Sequence, residues 1–181
     1  DIDTAMDSWI THEFDTKWEQ QDWKLSLSRA GHIPGAGMLS IDTPSKNILF
    51  TGDFDSRDSP LTSGAKPIKT DILFIEGTYG GKDHANQNEE LTRFIDNIIR
   101  VTDKGGTVLI PAFANGRTQD MLMRLHQNCP ELDVHVDGMG KRITKLYLEN
   151  TQFIRDPKAL NAAWNWCRRV ASKSDRKKAL D

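Results

Sequence analysis

The sequence predicts an α/β fold whose sheet is at least partly parallel. Two continuous apolar runs, "DILFIEG" (71–77) and "GGTVLIPAF" (105–113), have the pattern of strands buried on both faces. Between them Leu91, Phe94, Ile95, Ile98, Ile99 and Thr102 recur at helical spacing, and Gly105-Gly106 stops that helix. A strand, a helix and a strand in succession imply a crossover between parallel strands.

The other elements follow in order. "KLSLSRA" (24–30) alternates in the way of a half-buried strand. "GMLSIDT" and "NILFTGD" are two further strands, joined by Pro44-Ser45-Lys46-Asn47, which reads as a hairpin turn. After the second apolar run a helix is expected from about Arg117 to Gln127, then a short strand "DVHVDG" and a helix through "KRITKLYLEN". A last helix opens on Asp156-Pro157, a good N-cap and first-turn pair. Leu160, Ala163, Trp164, Cys167 and Val170 line one of its faces.

Composition sets limits on function. The chain has 181 residues, with 37% hydrophobic and 28% charged, which suits one globular domain or two small lobes. A formal net charge of −2 gives no global attraction to nucleic acid. The dense basic stretch "RRVASKSDRKK" (168–178) reads as a solvated helix end. Cys129 and Cys167 lie far apart, without neighbours of metal-ligand type, and read as free thiols of an intracellular, cytoplasmic protein. No apolar run approaches the roughly 20 residues that span a bilayer, and the acidic start lacks the charged and apolar regions of a signal peptide.

Three strand ends carry the chemistry. "LSRAGH" finishes on His32, "ILFTGD" on Asp53 and "ILFIEG" on Glu76, each beside a glycine. A single carboxylate there is explained by capping a loop's amides. A histidine and two carboxylates in succession, at the sheet edge where α/β ligands bind, point to a metal or acid–base site. Imidazole and carboxylate are ligands that Zn²⁺ and Mn²⁺ accept. "GTYGGKD" is not a phosphate loop. Its spacing is one residue short of G-x-x-x-x-G-K, and Asp83 stands where the Mg²⁺-binding hydroxyl belongs.

"AGHIPGAGM", "FTGDFDSRDSPL", "DILFIEGTYGG" and "LIPAFANGRTQD", in this order, resemble the motifs of the β-CASP family of metallo-β-lactamase fold nucleases. "VHVDGMGKRIT" resembles a segment of that family's β-CASP insertion. The resemblance covers residues 30 to about 140. It implies the second half of a metallo-β-lactamase αββα sandwich, near 1–115, and part of the β-CASP lobe in 116–181. His32 matches a zinc-ligating histidine of the family, and Asp53 matches the aspartate that bridges two metals. Glu76 matches the first acidic residue of the β-CASP signature, which helps position or protonate the leaving group. Glu76 followed by Thr78-Tyr79-Gly80 resembles the RNA-processing branch more than the DNA-repair branch. The implied reaction is hydrolysis of RNA by a hydroxide shared between two zinc ions. On this view the glycines around His32 let the metal and a phosphate approach closely. Arg117 is placed either against a phosphate or as a brace between lobes.

Departures from the family pattern are equally specific. The H-x-H-x-D-H motif that supplies most metal ligands is missing upstream, where His12 is the only histidine. No histidine follows His135, while His84 and His126 read as solvated. His32 and Asp53 fall short of the three protein ligands that even a catalytic zinc takes. The expectation is therefore a piece of a larger zinc ribonuclease, inactive alone and completed by its missing part, a second subunit or a homo-oligomer. A non-catalytic scaffold or RNA-binding subunit is the first alternative. A hydrolase of small esters or thioesters is the second, and "AFANGRTQD" argues against it.

Overall fold

The computed structural model describes residues 2–180. The chain forms two compact units: Asp1–Asp58 with Ser63–Glu76, and Ser59–Thr62 with Gly77–Asp181.

The first unit is a short helix α1 (Ile2–Asp7) followed by a five-stranded sheet in the order β1 (Lys17–Gln20), β2 (Trp23–Arg29), β3 (Gly37–Asp42), β4 (Asn47–Phe50), β5 (Ile72–Phe74). β1 to β4 pair antiparallel, with Leu27 opposite Leu39 and Ile41 opposite Ile48. The β3–β4 turn is closed by Thr43, whose amide donates to Lys46 O (2.9 Å) and whose hydroxyl accepts from Lys46 N (3.0 Å). β5 then adds parallel to β4, Leu49 opposite Leu73. The expected parallel pairing is present, but it joins these two strands. As a consequence β2, β4 and β5 run in one direction and end at one edge.

Register decides which side chains share a face. Trp18, Leu25, Leu27, Leu39, Ile41, Ile48, Phe50, Ile72 and Phe74 all project from one side, and none of them is buried. The Phe50 and Phe74 rings stack there at 4.4 Å. The opposite face carries Ser26, Ser28 and Ser40 among Met38 and Leu49. Met38, Leu49 and Ala30 form the unit's small core, covered by Phe54, Ala65 and Ile68 of the connection to β5. The alternation of "KLSLSR" thus sets the two faces correctly, yet the more apolar face is the open one. β5 is exposed along its length, contrary to the burial on both faces that its composition predicts.

The second unit is helical. α2 (Gln87–Thr102) is capped by Asn86, whose side chain accepts from the amides of Asn88 and Glu89, and it ends ahead of Gly105 as expected. The predicted strand 105–113 is absent. This segment pairs with no strand among the described residues, and Leu109 and Phe113 are each 82% exposed. An apolar run becomes a strand only where another strand takes up its amides and carbonyls, so the expected strand–helix–strand unit is not completed. α3 (Arg117–Asn128), α4 (Gly140–Glu149) and α5 (Pro157–Trp166) follow where the periodicity places them. Asp156 caps α5 through the Ala159 amide at 2.9 Å.

α5 stops at Trp166, short of the expected length. The Arg168 amide donates to Val134 O (2.8 Å) and Val170 N to Val136 O (3.0 Å). Those bonds make β7 (Arg168–Arg169), parallel to β6 (His135–Val136). A long-range ladder outcompetes the helix at these residues. Leu122, Met123, Tyr147, Leu160, Ala163, Trp164 and Cys167 form one core, and Ile95, Ile98, Leu125 and Cys129 a second. Burial raises both free thiols above the ordinary cysteine range. α6 (Lys173–Leu180) closes the chain. Among the described residues no helix is long and apolar enough to cross a membrane.

Candidate metal centre

The parallel ends of β2, β4 and β5 bring three of the predicted residues to one edge. His32 lies three residues past β2, Asp53 three past β4, and Glu76 two past β5. His32 Nε2 stands 4.0 Å from Asp53 Oδ2, with 39% of the imidazole and 74% of the carboxylate side chain exposed. Glu76 is half-buried, and its Oε1 accepts from the Phe54 amide at 3.0 Å. It therefore fixes the backbone immediately after Asp53. The amide-capping role is realised here, and through it the carboxylate orients the neighbouring one.

That bond sets an expected result. Glu76→Ala leaves the Phe54 amide without its acceptor and should cost about 1–3 kcal/mol of stability. Glu76→Gln keeps an accepting oxygen and should cost clearly less. Equal losses in denaturant unfolding would show that the bond does not hold the loop.

The loop carrying His32 is pinned by backbone contacts. Ala30 donates to Ala36 O (2.9 Å) and accepts from the Asp55 amide (2.9 Å), while Asp55 O accepts from Ala65 N (2.8 Å). Gly31 sits inside this net at φ +73°, where a Cβ would lie 2.3 Å from Asp55 O and 2.7 Å from Ala65 N. Gly64 faces the same restriction against Ser56 O, at 2.3 Å. The glycine before His32 is thus required for packing of backbone on backbone. Access of a ligand to the imidazole was the role expected of it; the open space lies at Gly35 (φ +87°), where nothing stands within 4 Å.

Two donors on one tetrahedral zinc, each about 2.0–2.1 Å from the metal, stand roughly 3.3 Å apart. The His32–Asp53 separation lies within an ångström of that. The pair is right in ligand type and close in spacing but supplies only two donors. Among the described residues no three His, Cys, Asp or Glu side chains converge on a metal position. By themselves these residues do not fit a complete zinc site.

Arg117 belongs to the other compact unit. It is the first residue of α3, exposed, its amide bonded to Asn115 O (3.0 Å). The motif around it is engaged in packing that its sequence does not announce. Gln119, fully buried, donates from Nε2 to Ala114 O (3.1 Å), Gly140 O (3.2 Å) and Thr144 Oγ1 (2.9 Å). The Tyr147 hydroxyl bonds Asn115 Oδ1, and burial pushes the phenol up to about 12. Of the other histidines, His12 stacks on Trp18 at 3.8 Å, His84 meets the Tyr79 ring edge-on, and His135 approaches Asp133 (3.3 Å). His126, expected in solvent, is half-buried against Trp166.

No family profile matches the sequence. Individual relatives do. The probable RNase MJ4 of Methanocaldococcus jannaschii is 33% identical over 186 aligned residues, which take in 100% of this chain and 44% of the relative. RNase aCSPSF2 of Saccharolobus solfataricus is 31% identical over 99% of the chain and 37% of its own length. The cleavage and polyadenylation specificity factor subunit 3 of Dictyostelium discoideum is 35% identical over 70% of the chain and 17% of its own length. The chain spans less than half the length of these relatives. Its mixed α/β architecture is consistent with their fold, and over the part it spans it belongs to the β-CASP family of the metallo-β-lactamase fold.

Proposed function

We propose that this chain is part of a metal-dependent ribonuclease that hydrolyses RNA phosphodiesters during RNA processing or decay. The observation that carries the proposal is the His32–Asp53 pair, 4.0 Å apart at the sheet edge, in a chain whose relatives are named as ribonucleases. In this reading residues 1–115 are metallo-β-lactamase core and 116–181 part of the β-CASP lobe. His32 and Asp53 would help to hold a metal ion such as zinc, which would supply Lewis-acid stabilisation of phosphoryl charge when bound. Glu76 positions Asp53 and stands ready to hold a proton near the leaving oxygen. Arg117 serves a phosphate of the substrate. The protein works inside the cell.

Since two donors fall short of a zinc shell, the remaining ligands come from protein outside this chain: another part of the same enzyme, or a second subunit. The uncovered apolar face of the five-stranded sheet and the free edge of β5 support that reading, because surfaces of this kind mark contact with further protein.

Elemental mass spectrometry of the dialysed chain, combined with an assay on labelled RNA, tests the proposal. Less than about 0.2 zinc per chain and no cleavage are expected for the chain alone, and cleavage should appear once the absent ligands are supplied. Two tightly held zinc ions in this chain alone would overturn the ligand count. RNA left intact by the completed, zinc-loaded protein would overturn the activity. No observation favours a small-ester hydrolase.

A further inference from the structure

Charge is divided unevenly along the chain. Residues 133–181 hold eleven lysines and arginines against six acids, whereas 1–132 hold thirteen against twenty. The near-neutral total hides a basic C-terminal quarter.

The fold gathers those cations, and two aspartates organise them. Asp137, just past β6, binds Arg176 of α6 (Nε, 2.5 Å) and Lys141 of α4 (3.5 Å) with its two oxygens. Lys141 also donates to Val170 O. Asp133 binds both Arg168 Nε (2.7 Å) and His135 (3.3 Å). Asp175 caps α6 by accepting from the Ser172 amide (3.0 Å), so the start of that helix is held in place. The Arg176 side-chain bond, then the Gly138 amide, hold the Asp137 carboxyl down at about 2, so the bridge persists through the whole neutral range.

Asp137 serves two cations at once, so positive charge is left over around it. Lys145 lies one turn beyond Lys141 on α4. Lys173 and Lys177 lie one turn apart on α6, flanking Arg176. All three outer lysines are exposed.

We infer that the lysines of α4 and α6, helices joined through Lys141 and Arg176 on Asp137, form a phosphate-backbone contact surface for single-stranded RNA. The surface belongs to the second unit, whereas His32 and Asp53 belong to the first. The inference rests on the ribonuclease reading for its choice of polyanion. Lysines on flexible stems suit it, since they engage phosphates as point charges without reading bases.

The test compares the full chain with K145Q/K173Q/K177Q and with the charge-keeping K145R/K173R/K177R, all carrying Asp53→Ala so that RNA stays whole. Each is titrated with a labelled oligouridylate over a series of KCl concentrations, and separately with anionic phospholipid vesicles. Losing three phosphate contacts should weaken RNA binding about tenfold or more at low salt and flatten the plot of log affinity against log salt by about 2. The arginine triple should restore both. An unchanged slope in the glutamine triple, no RNA binding by the parent, or binding to vesicles in preference to RNA would each overturn the inference. Cleavage by the completed enzyme without Asp53→Ala is scored independently. Lost cleavage with the slope difference intact overturns the ribonuclease reading alone, and the converse overturns the surface alone.

Discussion

Under the proposed function, Asp53→Ala in the complete protein is expected to lower RNA hydrolysis by at least about a thousand-fold, on the order of 4 kcal/mol of transition-state stabilisation, while RNA affinity stays within about twofold. The split follows from the position of the residue. Its carboxylate is mostly exposed, 4.0 Å from His32 Nε2, and makes no ion pair with lysine or arginine among the described residues. Truncation therefore opens no cavity in the Ala30–Met38–Leu49 core and leaves the Glu76–Phe54 bond in place. Stability should change by less than about 1 kcal/mol, as for other exposed side chains. Single-turnover cleavage and equilibrium binding on the same RNA read out the two effects. Undiminished cleavage would remove Asp53 from the reacting centre. A large drop in the unfolding midpoint would assign it a structural role in place of a chemical one.

Gly31→Ala is expected to be a strong structural perturbation beside His32. The backbone is left-handed there, a conformation costing an L-residue roughly 1–2 kcal/mol. The new methyl would also meet three backbone positions: Asp55 O at 2.3 Å, Ala65 N at 2.7 Å and Gly64 Cα at 3.0 Å. Moving them apart strains the Asp55–Ala30 and Ala65–Asp55 bonds that hold the His32 loop. The combined loss should be about 3 kcal/mol or more, lowering the urea midpoint by on the order of 1–2 M. Gly35→Ala provides the comparison. It shares the positive φ but meets nothing within 4 Å, so its cost should stop at roughly 1–2 kcal/mol. If the two substitutions cost the same, the tight backbone contact at Gly31 contributes nothing.

That His32, Asp53 and Glu76 come to one sheet edge was legible because each is a polar residue closing an apolar run beside a glycine, and such runs end together when their strands run in one direction. What each does was less legible. Nothing in "ILFIEG" tells that Glu76 spends an oxygen on the Phe54 amide. Nothing in "RAGHIPGAG" separates Gly31, caught between backbones, from Gly35 in open space. The same limit applies to Gln119, whose three acceptors come from an adjacent loop and from a helix more than twenty residues away.

The sequence by itself determined the helices α2 to α5, the alternation that divides the sheet into two faces, and the order of the motifs. All of these depend on neighbours within a turn or two of the chain. Only the tertiary structure decided that β5 pairs with β4 while 105–113 pairs with nothing, that Arg168–Arg169 leaves a helix for a ladder, and that the basic tail closes over Asp137. Each of those outcomes is a competition for backbone hydrogen bonds or for a carboxylate between segments distant in sequence, and local pattern carries no record of which partner prevails.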